Sequence, residues 1–302
     1  MSVIIDVDNL SKDYGNGRGL FNVSLKVEKG EVFGLVGING AGKTTLIRHL
    51  MGFLKADKGN VTINGKNYWF DSAEIKKDVS YIPGEIAFPS VKTGNEFFKL
   101  QAEYLKEKDL LKAHEIADKL HLDARATLKR MSKGMKQKSA IVVAFMEDKE
   151  ILIFDEPTTG LDPLMQKAFS EMIMQEKAKG KTIFMSSHIF DEMEHTCDKV
   201  AVIKEGHILD IIDMNEIRGM EAIKEYKIEF NKKEDYQKFL MKKFEIISTQ
   251  EAYNQVLVKV SKEKLNKLFE VLSSLDVKFL TYKPLTLRDA FNDIYKKNKE
   301  EI

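Results

Sequence analysis

The residues Gly37-Ile38-Asn39-Gly40-Ala41-Gly42-Lys43-Thr44 constrain this chain more than any other stretch. They follow a short apolar run, "EVFGLV" (Glu31 to Val36), and precede a helical one that starts at Lys43. Their spacing is G-x-x-x-x-G-K-[ST]. Glycine lacks a Cβ, so the loop backbone can take positive φ and approach a ligand closely, with successive N–H groups turned inward at oxygen atoms. The partial positive charge at the start of the helix adds to this anion site. Lys43 is placed to reach the outer phosphates of such a ligand, and the Thr44 hydroxyl to bind Mg²⁺. A strand, glycine loop and helix in this order require an α/β fold with a buried sheet.

Other apolar runs extend that sheet. "ILIFDEP" (Ile151 to Pro157), "KTIFMSS" (Lys181 to Ser187) and "DKVAVIKEG" (Asp198 to Gly206) suit strands covered on both faces. Alternating pieces near the N-terminus, "SVIIDVDNLSKDY" and "NVTINGKNYWF", predict an antiparallel sheet. The polar stretch from about Pro83 to Lys138 has helical periodicity. Residues 1–215 are therefore expected to form one α/β domain with a helical subdomain at about 84–140. Near Met220 the pattern changes. "EYKIEF", "KEDYQKFLMKKF", "EIISTQ", "NQVLVKV", "KEKLNKLFEVLSSL" and "VKFLTY" read β-α-β-β-α-β, a small α+β domain over 220–302 of ferredoxin-like type. Its second helix is expected to place Leu265, Leu268, Phe269, Leu272 and Leu275 on one face.

Composition excludes several classes. With 302 residues, 43% apolar and 31% charged, the chain can build sizeable cores and is not disordered. A net charge of +1 gives no global electrostatic reason to expect nucleic acid. Cys197 is the single cysteine, which rules out an intrachain disulfide and fits a reducing compartment. The opening "MSVIIDVDNLSKDYG" does not read as a signal peptide. No run approaches the roughly 18 apolar residues of a membrane span. If the protein works on a membrane, another chain must cross it.

"ILIFDEP" places Asp155 and Glu156 at the C-terminal end of a strand, the end that faces ligands in parallel sheets. One acid there can hold Mg²⁺, and the second can orient or deprotonate an attacking water. With these residues in place, the sequence resembles the ABC ATPases, the nucleotide-binding subunits of ABC transporters. "MSKGMKQK" (Met131 to Lys138) resembles the family's LSGGQ signature. Ser132 and Gly134 are kept, while Lys133 and Met135 replace the usual glycine and glutamine. Taken alone, Ser132 also fits an ordinary helix cap. "TTGLDP" resembles the D-loop, with Asp162 at its key position, and "SSH" resembles the switch that ends in histidine, here His188. Tyr14 in "LSKDYGNG" matches the aromatic that stacks on adenine. One motif departs: in "YIPGEI", Gly84 occupies the family's glutamine position and Glu85 follows. Either Glu85 takes over the metal-side contact or that contact is lost.

The resemblance implies the P-loop ABC ATPase fold: a mixed sheet core, an N-terminal antiparallel β part and a helical subdomain. It implies ATP and Mg²⁺ as cofactors. ATP would be held by Tyr14, Gly37, Asn39, Gly40, Ala41, Gly42, Lys43, Thr44 and Thr45. Mg²⁺ would be held by Thr44 and Asp155. Glu156 would act as base, and His188 would position the γ-phosphate and the water. Ser132, Gly134 and Asp162 would act across a head-to-tail dimer with a second ABC ATPase subunit, identical or not. Separate transmembrane permease subunits would dock on the helical insertion and the loop near Gly84, at the cytoplasmic face of the membrane. The single cassette and a tail in which Leu285, Leu287, Asp289 and Phe291 loosely match the family's ending resemble the bacterial exporter type. The region 220–302 fits a regulator site, a dimerisation element or simple packing. Two alternatives stand beside export: a soluble ABC ATPase acting on ribosomes or DNA, and a nucleotide-gated regulator with little hydrolysis. The first usually carries two cassettes or a long coiled coil, and neither is read here.

Overall fold

The structure, a computed structural model, describes residues 2–106, 110–219, 223–283 and 286–297. Met220 and the tail residues Pro284 and Leu285 lie outside the described residues. Two compact units divide the chain: one runs to Ile212 and the other spans Asp213–Lys297.

The first unit opens with an antiparallel pair, β1 (Val3–Asp13) and β2 (Gly19–Glu28). β3 (Val32–Val36) then runs through the glycine loop into α1 (Lys43–Leu50). β4 (Lys58–Ile63) and the short β5 (Lys66–Asn67) complete a sheet ordered β2-β1-β4-β5. The strand expected over "NVTINGKNYWF" does not continue past Asn67. The Asn67 side-chain oxygen accepts from the N–H groups of Trp69 and Phe70 at 3.0 and 3.1 Å, so the chain turns and leaves Phe70 82% exposed.

α2 (Ser72–Asp78) and β6 (Val79–Ile82) lead to the helical part: α3 (Gly94–Leu105), α4 (Leu111–Lys119) and α5 (Lys133–Met146). β7 (Ile151–Asp155), α6 (Pro163–Ala178), β8 (Thr182–Ser187), α7 (Phe190–Thr196), β9 (Lys199–Lys204) and β10 (His207–Asp213) follow. The main sheet is ordered β10-β9-β3-β8-β7-β6. The pairs β3–β9, β3–β8, β7–β8 and β6–β7 are all parallel. Every residue of β3, β7 and β8 is buried, which is why these strands read as unbroken apolar runs. Parallel direction carries their C-terminal ends to one edge. The glycine loop leaves β3 there, Glu156 leaves β7, His188 leaves β8 and Gly84 follows β6.

α7 packs against the sheet at Gly34. A Cβ on Gly34 would lie 2.7 Å from Met193 Sδ and 2.9 Å from Cys197 Sγ. Cys197 is fully buried, and burial pushes its thiol up to about 12.

The second unit contains α8 (Met214–Gly219), β11 (Ile223–Phe230), α9 (Lys233–Leu240), β12 (Glu245–Gln250), β13 (Gln255–Ser261), α10 (Leu265–Leu272), β14 (Val277–Lys283) and α11 (Leu287–Lys297). Its antiparallel sheet has the order β12-β13-β11-β14, the split βαβ arrangement. Ile228, Phe230, Phe239, Val256, Val258, Leu268 and Leu272 form its core. Phe269 does not join the buried face of α10 and is 47% exposed. Leu268 and Leu272 are one turn apart, and a residue next in sequence is rotated about 100° from that line.

Candidate active site

The loop after β3 is shaped by its glycines. Gly40 and Gly42 have φ of 83° and 111°, which L side chains rarely adopt. A Cβ on Gly37 would come within 2.5 Å of the Ile203 carbonyl oxygen. The loop is tied to its surroundings through Gly206, whose N–H donates to the Ala41 carbonyl at 2.9 Å. The Gly206 carbonyl accepts from Phe21 N–H at 2.9 Å, which anchors the start of β2 beside the loop. Tyr14 lies in the preceding β1–β2 turn, 53% exposed, with Lys12 Nζ 5.9 Å from its ring centroid.

Lys43 is only 6% exposed. Its Nζ donates to the Gly37 and Ile38 carbonyls at 2.8 and 3.4 Å and pairs with Glu156 Oε1 at 3.2 Å. Asn39, Gly40 and Thr44 are exposed, Ala41 is buried, and Thr45 is half-buried with its carbonyl 2.7 Å from His49 Nδ1.

Asp155 ends β7 fully buried. Ser186 Oγ donates to its Oδ1 at 2.7 Å. Oδ2 is buried with no hydrogen-bond partner among the described residues. A buried carboxylate oxygen without a donor is costly, and such an oxygen is the donor type that hard cations take. The backbone that approaches it is that of Gly84, where a Cβ would stand 3.0 Å from Oδ2. Glu85 is exposed and, among the described residues, makes no hydrogen bond or ion pair.

Glu156 adopts a left-handed φ of 50°, unusual for a side-chain-bearing residue and frequent at functional turns. Its N–H donates to Ser186 Oγ at 3.0 Å and to the Ser186 carbonyl at 3.2 Å, which holds the turn. Its Oε2 accepts from Thr159 Oγ1 at 3.1 Å and lies 2.6 Å from His188 Nδ1. Burial would raise its pKa. The Lys43 ammonium and the His188 hydrogen bond outweigh burial, and the carboxyl titrates below its ordinary value.

A second cluster forms where α5 meets the segment before α6. Ser132 caps α5, its hydroxyl accepting from Met135 N–H at 3.2 Å. A Cβ on Gly134 would lie 2.7 Å from the Gly160 carbonyl oxygen, so the two backbones touch. The Lys133 stem lies 3.5 Å from the Cβ position of Gly160. Gln137 is buried and donates from Nε2 to the Pro157 carbonyl at 2.7 Å. Asp162 caps α6, accepting from Met165 N–H at 3.0 Å, with Pro163 in the first turn.

The residues singled out from sequence thus fall into two groups. Lys43, Asp155, Glu156 and His188 converge at the sheet edge, while Ser132, Gly134 and Asp162 gather around Gly160. Ser186, Thr159, Gln137 and Glu192 were not singled out, although Ser186 bridges both acids. Its only signal was a hydroxyl at a strand end beside the expected histidine.

Comparison with known proteins bears on the family of the chain. A family profile described as ABC transporter matches residues 20–159. The chain is 32% identical over 301 residues to the bacitracin transport ATP-binding protein of Bacillus licheniformis, covering 96% of this chain and 97% of that protein. It is 34% identical to the bacitracin transport ATP-binding protein of Enterococcus faecalis, over 72% of this chain and 71% of that protein. A solved structure of an ATP-binding subunit of an ABC transporter shares 30% identity at a TM-score of 0.63, covering 72% of this chain and 93% of that one.

Proposed function

The chain belongs to the ABC transporter family as an ATP-binding subunit, an ATPase, and from that premise we propose that its ATP cycle drives export through separate membrane subunits. In this reading Tyr14 stacks on the adenine, and the N–H groups of residues 37–45 wrap the phosphates. Lys43 exchanges its pairing with Glu156 for phosphate oxygens, since an anion of higher charge competes for the same ammonium. Thr44 and Asp155 would hold Mg²⁺, for which the donorless Oδ2 is a fitting ligand. When bound, the ion supplies charge neutralisation at the transferred phosphoryl group.

Glu156 accepts the proton of the attacking water. Its lowered pKa keeps it a carboxylate at neutral pH, and Thr159 and His188 fix its orientation once Lys43 is engaged elsewhere. Backbone N–H groups and Lys43 stabilise the developing charge. Ser132, Gly134 and Asp162 serve the nucleotide of the opposite protomer in a head-to-tail dimer. The observation that carries this reading is the division of the site into two groups, one built on the sheet edge and one around Gly160.

The membrane subunits dock near Gly84. Exposed Phe53, Trp69 and Phe70 lie in the segments before β6, and Phe53 packs edge-on against Tyr81 at 5.7 Å with Lys76 Nζ 4.9 Å above it. Aromatic surface of this kind suits a protein partner. Among the described residues no helix is long and apolar enough to cross a membrane. Docking on such subunits places the chain at the cytoplasmic face. The relatives named for bacitracin transport, and a Bacillus subtilis relative named for linearmycin resistance, make an antibiotic the substrate class to test first.

Glu156→Gln is the decisive variant. It is expected to bind ATP, form a dimer in size-exclusion chromatography and lose turnover by about 100-fold or more. Hydrolysis at the parent rate would overturn the base assignment.

A further inference from the structure

Glu192 lies on α7 and is 5% exposed. Its Oε2 accepts from Ser187 Oγ at 2.7 Å and from Thr158 Oγ1 at 3.1 Å. Oε1 is buried with no hydrogen-bond partner among the described residues. Ser187 directly precedes His188, and Thr158 follows Glu156 after Pro157. His188 Nδ1 and Glu156 Oε2 are 2.6 Å apart. These contacts close a ring: Glu156, His188, Ser187, Glu192, Thr158 and back through Pro157.

The ring has a physical consequence. His188 is exposed on its loop, so contacts on its solvent side do little to fix it. Ser187 Oγ also accepts from Ile189 N–H at 3.0 Å, so the hydroxyl held by Glu192 grips the backbone on both sides of His188. On the other arm, Thr158 lies in the same turn as Thr159, which holds Glu156. A single carboxylate therefore ties the histidine loop to the turn bearing the base. An apolar side chain would fill the space without burying a donorless oxygen, so packing alone does not account for the acid.

From this ring the geometry points to Glu192 as a positioning residue for ATP hydrolysis, fixing the Glu156–His188 pair from behind; this rests on the function proposed above. Burial holds the Glu192 carboxyl at about 7, with Ser187, Thr158 and His188 drawing it down and Glu156 pushing it up. On its outer side Glu192 lines a cavity of about 700 Å³ between α6 and α7, and the charged or titratable groups there are Lys167, Glu171, Asp191 and His195. Protonation of Glu192 weakens its hold on the two hydroxyls, so the pair loosens as pH falls through about 7.

The test compares Glu192→Ala, Glu192→Gln and the parent in steady-state ATPase assays from pH 6 to 9. Glu192→Ala is expected to lower kcat by about 10-fold with KM for ATP within about 2-fold, because the nucleotide seat is untouched. Glu192→Gln keeps an oxygen for the hydroxyls but cannot titrate. It is expected to give, across the pH range, a kcat between those of the alanine variant and the parent at high pH, like the protonated parent, and to lose the acid limb of the profile. If Glu192→Ala does not fold, Ser187→Ala and Thr158→Val each remove one arm and are expected to lower kcat in the same direction. Parent-like kcat and an unmoved pH profile in the glutamine and alanine variants would overturn the proposal. Failure of the base assignment is read separately, as undiminished hydrolysis by Glu156→Gln.

Discussion

At His49 the ring is wholly buried on α1, with Nδ1 2.7 Å from the Thr45 carbonyl and Nε2 without a partner among the described residues. Burial lowers its pKa, Lys12 adds to that effect, and the Thr45 carbonyl opposes it. The folded protein therefore holds the ring neutral, while the unfolded chain takes up a proton near pH 6.5. The sign follows: this stability is full above about 6.5 and is lost as pH falls through the lowered folded value. The urea midpoint should drop between pH 7 and pH 5, and His49→Leu should flatten that drop. An unchanged slope would show that other groups control it. That Lys43, Asp155 and Glu156 lie together was legible in the sequence, because a glycine loop and a strand end carry them. Glu192 and Ser186 were not, because their partners lie on segments that only the fold brings together. The same holds at the departed motif: the sequence offered Glu85, while the structure sets the Gly84 backbone against Asp155.

Among the elements, the contact between α5 and the turn at Gly160 leaves no room for a side chain at Gly134. Gly134→Ala would place a methyl 2.7 Å from the Gly160 carbonyl oxygen, so the helix start must move away. Crowding of this kind costs about 1–3 kcal/mol. It should lower the thermal midpoint of the first unit, and in a Glu156→Gln background it should weaken ATP-dependent dimerisation. Full dimerisation in the double variant would detach Gly134 from the nucleotide of the opposite protomer. The parallel strands were readable because each is buried on both faces and needs no alternation. β2 was not, since Asn22 with φ 50° and the shifts in its pairing with β1 break the period of two. In α10 the apolar face was read too wide and too long: Phe269 is exposed and Leu275 lies beyond the helix, because a helix of eight residues buries only a narrow stripe.

Taken whole, the described residues include one core around β3, β7 and β8 in the first unit and another beneath the second unit's sheet. Calorimetry should resolve two transitions. ATP at about 100 times its Kd should stabilise the first unit's transition by about 2.7 kcal/mol and leave the other in place. Phe239→Ala removes a fully buried ring and should destabilise the second unit by about 3–5 kcal/mol without altering the nucleotide shift. A single transition moved by both changes would contradict independent cores. The change of pattern near Met220 was visible as a switch to short alternating strands, but the work of the second unit is not written in its spacing.

The thiol sealed behind Gly34 and Met193 has a practical corollary. An attached fluorophore or spin label needs a reactive sulfur, and Cys197 in the native protein offers none to a reagent in solution. A cysteine engineered at an exposed position such as Tyr104 would then be the sole target, with the natural cysteine left in place, and the separation between two labelled copies could be followed turn by turn as fuel is consumed.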